Sequence, residues 1–184
     1  TMAEPWTLRV ALAYPASLAA PCAGLVVLAM SWPAQSAAGE ALVFVLVGLA
    51  GVVLWTLTEY VLHRWMLHGV EPFRRWHLAH HRHAGVAIRV PVLFSVLLVL
   101  AVVGLPALLS GGSAFAAPLS AGMLLGNVLQ ESVHHRLHDT RPLGSWLEAR
   151  RRLHGFHHFR DERRGYGTLT DFWDRVFGTL PPPG

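Results

Sequence analysis

The residues able to do chemistry in this chain are its histidines. Twelve occur among 184 residues, and ten of them fall into four tight clusters. His63 and His68 form H-x4-H, and His77, His80 and His81 form H-x2-HH. His134 and His138 form H-x3-H, and His154, His157 and His158 form a second H-x2-HH. Neutral imidazole is a ligand for iron, copper, nickel and zinc. Spacings of three and four put rings on one helical face, where they converge. A tetrahedral zinc takes four ligands, so ten are too many for one ion. Two metal ions with about five imidazoles each would use all ten. A pair of ions that activates O2 must be redox-active, so iron is the metal expected for activity, and zinc is compatible with purified protein.

Some details stay open at this level. Residues 63 and 68 lie about 140° apart on an α-helix of 3.6 residues per turn. They reach different metals, or the helix loosens before Gly69. His83 and His135 lie outside the cluster spacings and read as surface or supporting residues. The register between His134 and His135 is ambiguous, because His135 with His138 also makes an H-x2-H pair. Glu59 precedes His63 by four residues, and Glu131 precedes His134 by three. A carboxylate on the same face as a ligand can accept its second ring N–H and fix the tautomer. Salt bridges to Arg64 or Arg136 are the alternative use of these acids.

The elements that carry the clusters are apolar. Hydrophobic residues make up 53% of the chain, charged residues only 14%, and the mean hydropathy is +0.39. These values point to a membrane protein of one domain covering residues 1–184. Uncharged stretches predict four spans, at about 14–31, 41–62, 91–109 and 115–134. The run between Glu40 and Glu59 is about 27 Å long as a helix, close to the hydrocarbon thickness. The run from Arg89 to Glu131 would be about 60 Å long, twice a bilayer, so Ser110-Gly111-Gly112-Ser113 is read as a turn within it. The fold class expected is all-α: a four-helix transmembrane bundle with a helical cap formed by about 63–90 and 135–184, holding the histidines.

Charge gives the orientation. All fifteen basic residues are arginine, and fourteen lie in the second connection or after the fourth span. The positive-inside rule then puts the termini and every histidine on the cytoplasmic side. Interleaving of arginines with spans also argues against a nucleic-acid partner. Leu143, Trp146, Leu147, Arg150 and Leu153 fall at helical spacing and read as a helix at the lipid surface or packed on the domain. The fourth span carries small residues, among them Gly122 and Gly126. They leave room for a lipid chain in a channel or let helices pack closely. Cys22 stands alone and forms no internal disulfide.

The run Thr-Glu-Tyr-Val-Leu-His-Arg-Trp-Met-Leu-His at 58–68 resembles the first box of the fatty acid hydroxylase and sterol desaturase superfamily, nearest its fatty acid 2-hydroxylase branch. The H-x2-HH, H-x3-H and H-x2-HH boxes follow in that family's order. Tyr166-Gly167 and Phe172-Trp173-Asp174-Arg175-Val176-Phe177-Gly178-Thr179 resemble its closing segment. The resemblance implies four transmembrane helices, a cytoplasmic dimetal cap and the ten clustered histidines as ligands. It implies oxygen-dependent hydroxylation of a lipid, with no catalytic residue apart from the metal pair. Members of the 2-hydroxylase type often carry a fused cytochrome b5 domain. None is present in these residues, so a separate electron donor, cytochrome b5-like, ferredoxin or similar, is expected. The competing readings are a carotenoid ring hydroxylase, a lipid desaturase and a non-enzymatic metal-binding membrane protein. A transporter would place its ligands near mid-membrane.

Overall fold

Two local signals set the helix boundaries around the histidines. Gly112 adopts a left-handed φ of 73° and interrupts the long uncharged run at one residue, as its glycine pair suggests. The other signal lies in the helix that ends at His68, where the last turns widen to i→i+5 hydrogen bonding. The computed structural model describes residues 11–13, 16–30, 38–84, 89–91, 94–141 and 144–182. Tyr14 and Ser31, the expected ends of the first helix, lie outside these residues, as does Leu143, the expected start of the surface helix.

The architecture is helical, with one small addition. A strand β1 (Ala11–Ala13) pairs antiparallel with β2 (Arg89–Pro91), Leu12 opposite Val90. A single turn at Ala16–Leu18 leads into α1 (Ala19–Met30). Helix α2 (Ala38–Val61) continues as the widened segment Leu62–Leu67, and α3 (Phe73–Arg82) follows. Helix α4 (Phe94–Val99) runs through a second widened segment, Leu100–Gly104, into α5 (Leu105–Gly111). Then come α6 (Ser113–Leu137), α7 (Ser145–Phe159) and the short α8 (Phe172–Val176). The third apolar helix begins at Phe94 rather than Pro91, because Pro91 is spent in the ladder with β1.

The chain divides into two compact units. The first comprises Thr1–Trp55 and Arg89–Val128. Among the described residues two helices are long and apolar enough to cross a membrane, Gly39–Leu67 and Phe94–Gly111, with mean hydropathies of 2.4 and 2.3. Ala16–Met30 is apolar but shorter. Large hydrophobic side chains stand exposed along both, including Val43, Leu46, Leu49 and Val53 on α2 and Leu97, Val102 and Leu105 on the other. In water such a surface is unfavourable; in hydrocarbon it costs nothing. Helix α6 instead buries Ser120, Met123, Leu124 and Asn127.

Within this unit α2 and α6 approach closely through glycine. A Cβ at Gly122 would overlap the carbonyl of Gly48 and crowd Gly51, and one at Gly126 would overlap the side chain of Trp55. Small residues at such crossings let backbones meet, which is how helices associate where the hydrophobic effect is absent. The space at Gly122 and Gly126 is thus taken by the neighbouring helix. The second unit, Thr56–Ile88 and Leu129–Gly184, contains all twelve histidines.

Candidate metal centre

Each histidine cluster sits on its own element of the second unit. His63 and His68 lie on the widened end of α2, and His77, His80 and His81 on α3. His134 lies in the last turn of α6 with His138 just beyond it, and His154, His157 and His158 are on α7. The widening of α2 resolves the spacing of five. With i→i+5 hydrogen bonding, residues five apart return to one face. The rings of His63 and His68 accordingly stack with centroids 5.3 Å apart.

The ten clustered histidines gather into two groups of five. His63, His68, His77, His81 and His157 form one group, and His80, His134, His138, His154 and His158 the other. Within each group one ring nitrogen per residue lies within 4.8 Å of all the others. Each H-x2-HH cluster therefore serves both groups. On α3 the i and i+4 rings, His77 and His81, face one group while His80 between them faces the other. On α7 His154 and His158 share a group, and His157 turns to the opposite one. His134 rather than His135 joins His138 in this group, and His83 stays outside with its Nδ1 3.3 Å from the Ala79 carbonyl.

The nitrogens converge more closely than hydrogen bonding among themselves can satisfy. His77 Nε2 faces the Nε2 atoms of His63, His68 and His81 at 3.0, 3.1 and 3.0 Å. One proton on that nitrogen can serve only one of the three. In the other group His138 Nε2 lies 3.3 Å from His134 Nε2 and 2.9 Å from His154 Nε2. Both nitrogens of His80 and of His158 are buried with no hydrogen-bond partner among the described residues. Unpaired buried polar atoms are costly. A divalent cation answers both observations: two nitrogens at about 2.1 Å from one ion and at right angles lie about 3.0 Å apart. The donor set fits a metal in each group.

Burial keeps the rings in the form that binds metal. It holds His80 down to about 3 and His81 to about 4, with neighbouring histidines adding to the effect. His77 and His154 are lowered for the same reasons. Neutral imidazole with a free lone pair is the ligating species.

Backbone carbonyls fix the tautomers in the first group. His63 Nδ1 donates to the Tyr166 carbonyl at 2.6 Å, and His157 Nδ1 to the Arg164 carbonyl at 2.9 Å. With the proton on Nδ1, the Nε2 lone pair points into the group. Glu59 does not take this place. Its Oε1 accepts from the Thr168 backbone N–H at 2.8 Å and from the Thr168 hydroxyl, so it braces the segment that bears the Tyr166 carbonyl. The carboxylate lies one turn below His63 on α2, and the incoming loop reaches the ring first. Glu131 makes no hydrogen bond to a histidine among the described residues.

The residue that spacing arguments missed is Asp174. It is buried, and its Oδ1 accepts from Tyr166 N–H at 3.0 Å and Thr179 Oγ1 at 2.7 Å while Oδ2 accepts from Gly167 N–H at 2.9 Å. Thr179 Oγ1 also lies 2.9 Å from the hydroxyl of Tyr60 on α2. The closing segment therefore ties the strap 164–168 to α2. The sequence signal was the Trp-Asp-x-x-Phe-Gly-Thr run itself, which carries no metal-ligand spacing.

With the boxes, their order and this closing segment in place, the comparison with known sequences is decisive. Residues 48–179 match the family model described as fatty acid hydroxylase, a stretch containing all twelve histidines and Asp174. This chain belongs to the fatty acid hydroxylase family. The chain is 34% identical over 157 residues to the dihydroceramide fatty acyl 2-hydroxylase FAH2 of Arabidopsis thaliana, covering 78% of this chain and 65% of that protein. It is 35% identical to the fatty acid 2-hydroxylase of Rattus norvegicus, covering 76% of this chain and 41% of the relative. A solved structure described as full-length scs7p, with only the hydroxylase domain visible, superposes with a TM-score of 0.68 at 25% identity. That match covers 89% of this chain and 63% of the other. The chain thus spans less than two thirds of the length of each of these relatives.

Proposed function

We propose that this chain hydroxylates a fatty acyl chain at carbon 2, using O2 at a pair of iron ions held by the two five-histidine groups. The observation that carries the reading is the convergence of ten imidazole nitrogens into two sets of five. Iron is favoured because insertion of an oxygen atom into a C–H bond needs a redox metal, and an all-imidazole set suits iron. The position on the acyl chain follows the printed activities of the plant and rat relatives. The reaction consumes O2, two electrons and two protons, and leaves one oxygen in the lipid hydroxyl and the other in water. A separate donor protein, cytochrome b5-like or ferredoxin-like, supplies the electrons. Zinc is expected to occupy the same ligands when iron is scarce during purification.

When bound, the metal pair supplies O2 activation. The chain's own residues do the rest. His63 and His157 hold their protons on Nδ1 against carbonyls and present Nε2. Burial of His63, His77, His134, His154 and His157 excludes water from the ligands. Asp174 and Glu59 keep the strap 164–168 in register with α2.

The membrane arrangement we propose is four spans, with residues 63–83 and 134–184 on the cytoplasmic side. Its support is the two long apolar helices, the exposed hydrophobic side chains along them and the arginine distribution. A reporter fused after Ser113 should read as external and one at Gly184 as internal; the reverse would refute the orientation.

The activity is tested by expressing the chain in a host and analysing its acyl lipids under 18O2, beside a His81→Ala variant. Mass gain of one 18O at carbon 2, absent in the variant, is the expected result. A new double bond would make the enzyme a desaturase, and unchanged lipids with a loaded metal pair would end the hydroxylase reading.

A further inference from the structure

The short helix α8 buries one side and leaves the other bare. Asp174 points inward, whereas Phe172 and Val176, four residues apart on one face, are 54% and 56% exposed. Phe177 beside them is 43% exposed and Trp65 49% exposed. Phe177 joins this surface to α2: it stacks on Tyr60 with centroids 5.1 Å apart and meets Trp65 edge-on at 6.3 Å. Nothing in the metal chemistry uses this surface.

Its height along α2 says what covers it. The indole N–H of Trp173 donates to Thr56 Oγ1 at 2.9 Å. Thr56 lies three residues inside the uncharged run that ends at Glu59, and eleven residues before Leu67, the end of the apolar helix Gly39–Leu67. Eleven residues correspond to about 16 Å of helix. The C-terminal segment therefore lies beside the last part of this helix, where Val61 is itself exposed and apolar. A bilayer that surrounds α2 at that height also meets α8. Aromatic side chains with arginine at their edge are the residues that settle at the headgroup boundary, and Arg175, 62% exposed, stands between Phe172 and Val176 in sequence. A soluble protein partner would have to reach past the headgroups to cover the same rings.

We infer that α8 and the adjoining Trp65 and Phe177 rest in the interfacial layer of the bilayer, so that the segment bracing the metal ligands is also a lipid-contacting anchor. The inference rests on the membrane-spanning reading of α2. A surface anchor of this kind buries an apolar face of a helix that lies along the boundary without crossing it. Because Asp174 and Phe172 are two residues apart, lipid contact on one face of α8 and support of the His63 carbonyl partner on the other belong to one rigid turn.

The test uses the full chain with Cys22→Ser, reconstituted in phosphatidylcholine vesicles and carrying one bimane-labelled cysteine at a time. Phe172→Cys and Val176→Cys probe the anchor, Val43→Cys is the control on the exposed face of α2, and Arg163→Cys is the control on an exposed polar loop. Emission is quenched either by iodide in the water or by nitroxide carried on the lipid acyl chain. Labels at 172 and 176 should be several-fold less sensitive to iodide than the label at 163 and several-fold more sensitive to the lipid quencher. Iodide sensitivity at 172 and 176 equal to that at 163, while 43 reads as lipid, overturns the anchor and leaves the spanning reading intact. Shielding of 172 and 176 from both quenchers means a protein surface covers them, and overturns it too. Iodide access at 43 overturns the membrane reading of α2 and the anchor with it.

Discussion

His63 and Tyr166 stand 103 residues apart in sequence, yet the imidazole Nδ1 lies 2.6 Å from the tyrosine's backbone carbonyl. That contact joins a clustered histidine at the end of a long apolar helix to a strap held in place by Asp174. It makes the first group of histidines dependent on residues that bind no metal.

Replacing Asp174 with Asn should therefore weaken metal binding in one group only. The amide keeps the volume of the carboxylate but turns an NH2 toward a backbone N–H that needs an acceptor. Loss of an outer hydrogen-bond partner typically lowers metal affinity by about 10–100-fold. Titration of the metal-free protein with cobalt should show one ion binding that much more weakly and the other unchanged. Equal weakening of both ions, or of neither, would show that the strap does not govern the first group.

Neighbouring residues should control different ions. His80 and His81 are adjacent on α3 but face different groups. His80→Ala and His81→Ala should each bring metal content from two ions per chain toward one, and the double variant should lose both. The lost ions differ, so the remaining cobalt spectra of the two single variants should not coincide. If both substitutions emptied the same site, the division into two groups would be wrong.

Acid should destabilise the metal-free chain. Burial lowers His80 to about 3 and His81 to about 4, below the ordinary value of 6.5. Between those values the unfolded chain takes up protons that the folded chain refuses, so stability falls as pH drops. The loss should begin near pH 6.5 and continue to about pH 3, and metal loading should shift the onset lower. Thermal melts in detergent across this range check both statements. A melting temperature that stays level from pH 7 to pH 4 would contradict the neutral, buried state of these rings.

Gly126→Leu should fail as a packing defect. Any Cβ there would overlap Trp55, and larger side chains force the helices apart. Overpacking of this kind costs about 1–3 kcal/mol or more. Thermal stability and activity should fall together, and Gly122→Ala, which meets the Gly48 carbonyl, should behave alike. A variant with normal stability and lower turnover on long-chain lipid would instead indicate that residue 126 lines the path of the acyl chain.

The apolar runs, the break between two of them and the clustering of ten histidines were legible in the sequence. Uncharged runs bounded by Glu40, Glu59, Arg89 and Glu131 marked the apolar helices, because a charge in such a run is too costly to hide. The glycine pair at Gly111-Gly112 marked the break, because one residue there needs a left-handed φ. Spacings of three and four placed imidazoles together, and ten donors required more than one ion. Which histidine joins which group depends on packing between helices. An H-x2-HH run faces two directions at once, and the partner of each ring comes from another helix, so no local rule divides His80 from His81 or His157 from His158. Spacing likewise could not place His63 beside His68, since their common face exists only because α2 widens over Leu62–Leu67. Nor could it show that a carbonyl rather than Glu59 holds the ring of His63. Backbone oxygens are identical at every residue, and the one that matters is chosen by where Asp174 and Thr168 anchor the returning chain.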